Sequence, residues 1–150
     1  MSARFNQYIQ EGNTFAKDYA KHLGFGEDTD RAVRLFSGIM HALRDIIPVN
    51  ESLQLIAQLP MLIKALYVNG WTLRRPQNDI KHMADFLELV RKNIGASASS
   101  DVGEDDEMAE QWVQLTFVYL RKYISLGEME DIRNTLPKDL KFMMYSNLMF

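Results

Sequence analysis

Apolar residues recur at steps of three and four along most of the chain, the spacing of one helical face. In the first segment Phe5, Tyr8, Ile9, Phe15, Tyr19 and Leu23 share such a face, with a looser stretch at Gly12-Asn13. Ser2 suits the start of that helix. Gly24 and Gly26 suit its end, because glycine takes the left-handed conformation of a C-terminal cap. A second helix, capped by Asp28 or Thr29, carries Ala32, Leu35, Phe36, Ile39, Met40, Leu43, Ile46 and Ile47 on one stripe. Pro48 halts it, since proline lacks an N–H and clashes with a preceding turn. A third helix is predicted over 49–58. Leu59-Pro60 then makes a corner, and proline suits the first turn of a fourth helix over 61–68. Asn69-Gly70 ends that helix.

Residues 71–78 read as a join, where Arg74-Arg75-Pro76 disfavours helix before the proline. A fifth helix is predicted over 79–94, with Ile80, Met83, Phe86, Leu87 and Val90 inward. The Gly/Ala/Ser-rich stretch 95–103 reads as a flexible loop. Glu104-Asp105-Asp106-Glu107 then starts a sixth helix, its negative charge opposing the positive end of the helix dipole, and the helix continues to Tyr123. Ser125-Leu126-Gly127-Glu128 has the form of a capping box for a seventh. Pro137 opens an eighth, carrying Leu140, Phe142, Met143 and Tyr145. No window alternates as a strand. The expectation is an all-α fold of about eight helices.

The chain also resembles itself. A shift of 77 positions aligns 32–67 with 109–144 without a gap and gives eight identities: Ala32/Ala109, Leu43/Leu120, Arg44/Arg121, Ile47/Ile124, Glu51/Glu128, Leu59/Leu136, Pro60/Pro137 and Lys64/Lys141. Average residue usage would give about two over that length. Phe15 to Gly24 likewise resembles Phe86 to Gly95. Two halves, about 1–70 and 78–150, are therefore expected to pack with pseudo-two-fold symmetry in one helical bundle-like domain spanning 1–150. Two copies are too few for a solenoid.

Composition narrows the function classes. The chain has 150 residues, a net charge of −3 and no cysteine. That removes a disulfide framework, a thiol nucleophile and a zinc-thiolate site. The charge argues against a general nucleic-acid binder. No apolar run is long enough to span a bilayer, and the N-terminus lacks the pattern of a signal peptide. A cytoplasmic location is expected.

Leu43-Arg44-Asp45-Ile46-Ile47-Pro48, Ala57-Gln58-Leu59-Pro60 and Tyr67-Val68-Asn69-Gly70-Trp71, with Gly127-Glu128 and Leu136-Pro137, resemble the bacterial domain-of-unknown-function family 2267. Phe5-Asn6-Gln7-Tyr8 with Glu11-Gly12-Asn13 and Phe15 is also similar to some of its members. The second half keeps Leu-Pro but has Asn134-Thr135 in place of Ala-Gln. The resemblance implies a small helical bacterial protein and carries no activity or catalytic residues with it.

The residues themselves offer little chemistry. Arg44 with Glu51, and Arg121 with Glu128, sit where they favour helix dipoles and suggest corner salt bridges. Asp18 with His22, and Asp79 with His82 and Asp85, have spacings that place ligands on one helix face, yet a solvated face is the expectation, as it is for His41. Asp101, Glu104 to Glu107 and Glu110 lack the alternation of a calcium loop. Arg74, Arg75, Lys81, Arg91 and Lys92 form a loose basic cluster with acidic neighbours. Trp71, Tyr67, Met143, Met144, Met149 and Phe150 read as core, with 148–150 the alternative of an exposed patch. No nucleophile, phosphate or dinucleotide motif is present, so no catalytic, cofactor or metal residue is assigned and enzymatic activity is not expected. Trp71, Arg74 and Arg75 are the binding candidates. The expected function is a protein-interaction or adaptor module, with an unknown protein partner or a second copy. The alternative is a small-molecule or lipid-binding protein with a pocket between the halves, lined by Trp71, Phe36 or Phe117.

Overall fold

The computed structural model describes residues 2–144. These form an all-α fold: α1 (Ser2–Leu23), α2 (Thr29–Ile46), α3 (Val49–Ala57), α4 (Met61–Val68), α5 (Met83–Ile94), α6 (Ala98–Asp101), α7 (Asp106–Leu120), α8 (Leu126–Thr135) and a closing 3₁₀ helix (Lys138–Met144). Helices α2, α3 and α4 begin at 29, 49 and 61, and α7, α8 and the 3₁₀ helix begin 77 residues later at 106, 126 and 138. Tyr145, Leu148, Met149 and Phe150, expected in the core or in an apolar patch, lie outside the described residues.

The ends form where capping chemistry puts them. Asp28 Oδ1 accepts from the Arg31 N–H at 3.2 Å at the start of α2, and Asp105 Oδ1 accepts from Glu107 N–H at 3.0 Å at the start of α7. Helix α5 starts at Met83 rather than at 79. Asp85 takes the His82 N–H at 3.2 Å, and the preceding join is extended, with Gln77 N–H bonded to Asp45 O at 2.8 Å. Helix α7 stops at Leu120 in a series of tighter turns, and the eighth predicted helix is 3₁₀, as short terminal pieces often are.

The stretch 95–103 is not a loose loop. It holds α6, and Asp101 is only 1% exposed. Arg34 grips the Asp101 carboxylate with two bonds of 2.8 and 3.0 Å, Ser97 Oγ adds one of 2.6 Å, and Arg31 Nε donates to its carbonyl at 3.0 Å. A bidentate Arg–carboxylate pair fixes geometry as well as charge. The Arg34 bonds first, then the Ser97 bond and the Arg31 charge, hold the Asp101 carboxyl below its ordinary range.

The core gathers where α1 crosses α2, α4 and α7 and where α2 lies along α5. Phe15, Tyr19, Phe36 and Tyr119 meet there with ring centroids 5.0–5.8 Å apart. The buried Tyr19 hydroxyl is matched to Thr116 Oγ1 at 2.7 Å, as buried polar groups require. Gly38 lets α2 and α5 approach: a Cβ there would overlap the Ile94 side chain and crowd Val90 O.

Candidate functional site

Two places stand apart from ordinary packing. The first is the outer end of α1. A helix of 22 residues is about 33 Å long, and its stripe of Phe15, Tyr19 and Leu23 is buried. The same stripe continues outward through Gly12, Ile9 and Phe5, which are seven, four and three residues apart on one face. Ile9 is 51% and Phe5 65% exposed. Leu62 of α4 lies against Gly12, where an added Cβ would stand 2.9 Å from Leu62 Cδ1, and Leu62 and Met61 are themselves exposed. The opposite, polar face of α1 walls an open cleft of 580 Å³ with Gln7, Gln10 and Thr14, bounded by the Leu59-Pro60 corner and Tyr123.

The second place is where α3 meets α8. Carboxylate oxygens of Glu51, Glu128 and Asp131 all lie within 4.8 Å of one another. Glu51 and Glu128 are one of the eight identical pairs related by the 77-residue shift. Ser125 Oγ accepts the Glu128 N–H at 3.1 Å, one half of the expected capping box. The other half is not made by Glu128. The Ser125 N–H donates instead to Gln58 Oε1 at 2.7 Å, across from the α3 end. Gln58 thus releases the Glu128 carboxylate from capping and lets it turn toward Glu51. Glu128 is 5% exposed, and the Oε2 atoms of both Glu51 and Glu128 are buried without a hydrogen-bond partner. Burial, then the charge of Glu51, push the Glu128 carboxyl up to about 7.

The corner salt bridges expected of Arg44 and Glu51 give way to another use of the arginine. Arg44 Nη1 donates to Tyr67 O at 2.6 Å and Asn69 O at 2.8 Å, closing the end of α4. Lys64 does the same for α3, through Ile56 O and Ala57 O at 3.1 Å each. Both add donors to carbonyls at a helix C-terminus, where the last turn lacks intrahelical partners; Ile56 O also accepts from the Leu59 N–H. Glu51 is left facing carboxylates.

The histidines are dispersed. His22 and His41 bond to the carbonyls of Leu115 and Leu66 at 3.0 and 2.8 Å, and His82 Nδ1 meets Asp139 at 2.9 Å. Asp18 is taken by Tyr119 and Lys122. Arg91 leaves the basic cluster for Glu88, Asp106 and Gly103 O. Arg74 and Arg75 are exposed on the extended join, while Trp71 is half-buried with its ring edge-on to Tyr67. Phe36 and Phe117, expected to line a pocket, are 0% and 1% exposed and are closed into the core. Met143 and Met144 are buried as expected. The carboxylate group was missed because its members come from two helices far apart in sequence. The signal that could have found it was the Glu51/Glu128 identity itself.

Residues 12–143 match the family described as "Uncharacterized conserved protein (DUF2267)". The chain belongs to this family. Comparison with curated proteins finds no match. The DUF2267 match spans the α3–α8 meeting point and begins at Gly12, so Phe5 and Ile9 precede it. Among the described residues, no helix is long and apolar enough to cross a membrane.

Proposed function

We propose that the protein is an interaction module that receives an apolar helix of a partner protein on the outer face of α1 and α4. One observation carries the reading: the stripe that forms the core at Phe15 and Tyr19 runs on, uncovered, through Ile9 and Phe5. Single exposed apolar residues are ordinary, but a contiguous stripe marks an interaction site. Helices commonly bind helices through anchors spaced three and four residues apart. The two halves are read as an internal repeat, which the shared spacing of successive helix starts supports.

The test is Phe5→Glu combined with Ile9→Glu. Both residues lie outside the core, so stability should change by no more than about 0.5 kcal/mol. Native mass spectrometry of protein isolated gently from its own host should find the wild type with a second protein species and the double variant without it. A bare wild-type monomer, or a variant that keeps the companion, overturns the proposal. A doubled mass assigns the face to self-association and overturns the choice of partner.

A small-molecule reading rests on the open 580 Å³ cleft beneath α1, which is within the size range of ligand pockets. Retained small-molecule mass in the same measurement would favour it.

A further inference from the structure

We propose that Glu51, Glu128 and Asp131 form a binding site for a hard divalent cation of calcium size, joining α3 to α8. Three oxygen donors already converge within 4.8 Å of one another. Calcium binds oxygen at about 2.3–2.6 Å, so two of its ligands can stand up to about 5 Å apart. Magnesium gives up its water reluctantly and is usually held by only one or two carboxylates, so a trio of protein carboxylates suits calcium better. The donor set holds no nitrogen or sulfur, which selects against zinc and copper.

A second observation is independent of the clustering. Glu128 is 5% exposed, and its Oε2 and that of Glu51 have no hydrogen-bond partner. Buried polar atoms are normally satisfied, and an exception points to a missing ion or water. Glu51 and Asp131, both negative, raise the Glu128 carboxyl, and Glu51 also lies within hydrogen-bonding reach of it. Arg44 is bonded to the carbonyls of Tyr67 and Asn69. Gln58 takes over the cap contact that would otherwise occupy the Glu128 carboxylate. A cation would satisfy both orphan oxygens at once. Asp131, at the exposed rim, would complete the protein ligands, with water filling the remaining positions.

The test is calorimetric titration of the chelator-treated full chain with calcium chloride, with magnesium and potassium controls at matched ionic strength. One ion per chain should bind, and saturation should raise the melting temperature. Glu128→Gln should abolish binding, and Asp131→Asn should weaken it at least about tenfold, since even an outer-shell partner of a metal site costs that much. Asp131 is exposed, so its variant keeps the test decisive even if the Glu128 variant fails to fold. No saturable calcium binding up to about 10 mM, beyond the weakest ordinary calcium sites, overturns the proposal. So does binding that both variants leave unchanged. Magnesium binding as tight as calcium overturns the size assignment.

Discussion

At the scale of single residues, Glu128 sets a pH dependence. Its carboxyl is raised from 4.5 to about 7, by burial first and the Glu51 charge second. The folded chain therefore holds a proton across that window which the unfolded chain has released. The stabilisation is fully present below about 4.5 and is lost as pH rises through about 7. His41 acts in the opposite sense, since burial lowers its pKa below 6.5 and charging it in the unfolded chain destabilises the fold at lower pH. Glu128→Gln removes only the first effect. In chelator-treated protein its melting temperature should gain on the wild type between about pH 5 and about pH 8. Parallel profiles would show that the Glu51–Glu128 contact holds no extra proton.

Arg44 belongs to the same scale. Its sequence position near a helix C-terminus was readable, but the carbonyls it serves belong to another helix. Arg44→Ala removes two charge-assisted bonds to Tyr67 O and Asn69 O. The expected cost is about 1.5–3 kcal/mol in urea unfolding. An unchanged midpoint would mean that water serves those carbonyls equally well.

At the scale of elements, the six helices over the first two-thirds of the chain divide into five that periodicity predicts and one that it does not. Helices α1 to α4 follow from apolar spacing and from Asp28, Pro48, Pro60 and Gly70. Helix α6 was illegible because Gly, Ala and Ser carry no periodic apolar signal. It exists through Arg34 on α2, which reaches the buried Asp101. The α2–α5 contact has its own prediction. Gly38→Ala would push a methyl into Ile94 and should destabilise by about 1–3 kcal/mol, the usual cost of overpacking. Thermal and urea unfolding measure it directly. No loss would mean that the two helices can separate at this crossing.

At the scale of the whole molecule, two features could not be read along the chain. One is that α1 outruns the helices that cover it, leaving Phe5 and Ile9 bare on a stripe that is otherwise core. Periodicity marked both residues as inward, because a stripe carries no record of how far its neighbours extend. The other is the meeting of Glu51 with Glu128 and Asp131. The repeat aligned the two glutamates, and dipole reasoning assigned each to a nearby arginine. Gln58 and the α3–α8 contact assigned them to each other.

What the sequence determined by itself was local: the helical class, most helix ends and the Leu-Pro corners. Hydrogen bonds four residues apart, caps and proline geometry are all decided within a turn or two of chain. What only the tertiary structure decided was which polar groups share a buried space, because that depends on packing between helices distant in sequence. The Asp101–Arg34 grip, the C-terminal caps made by Arg44 and Lys64, and the carboxylate group of Glu51, Glu128 and Asp131 are all of this second kind.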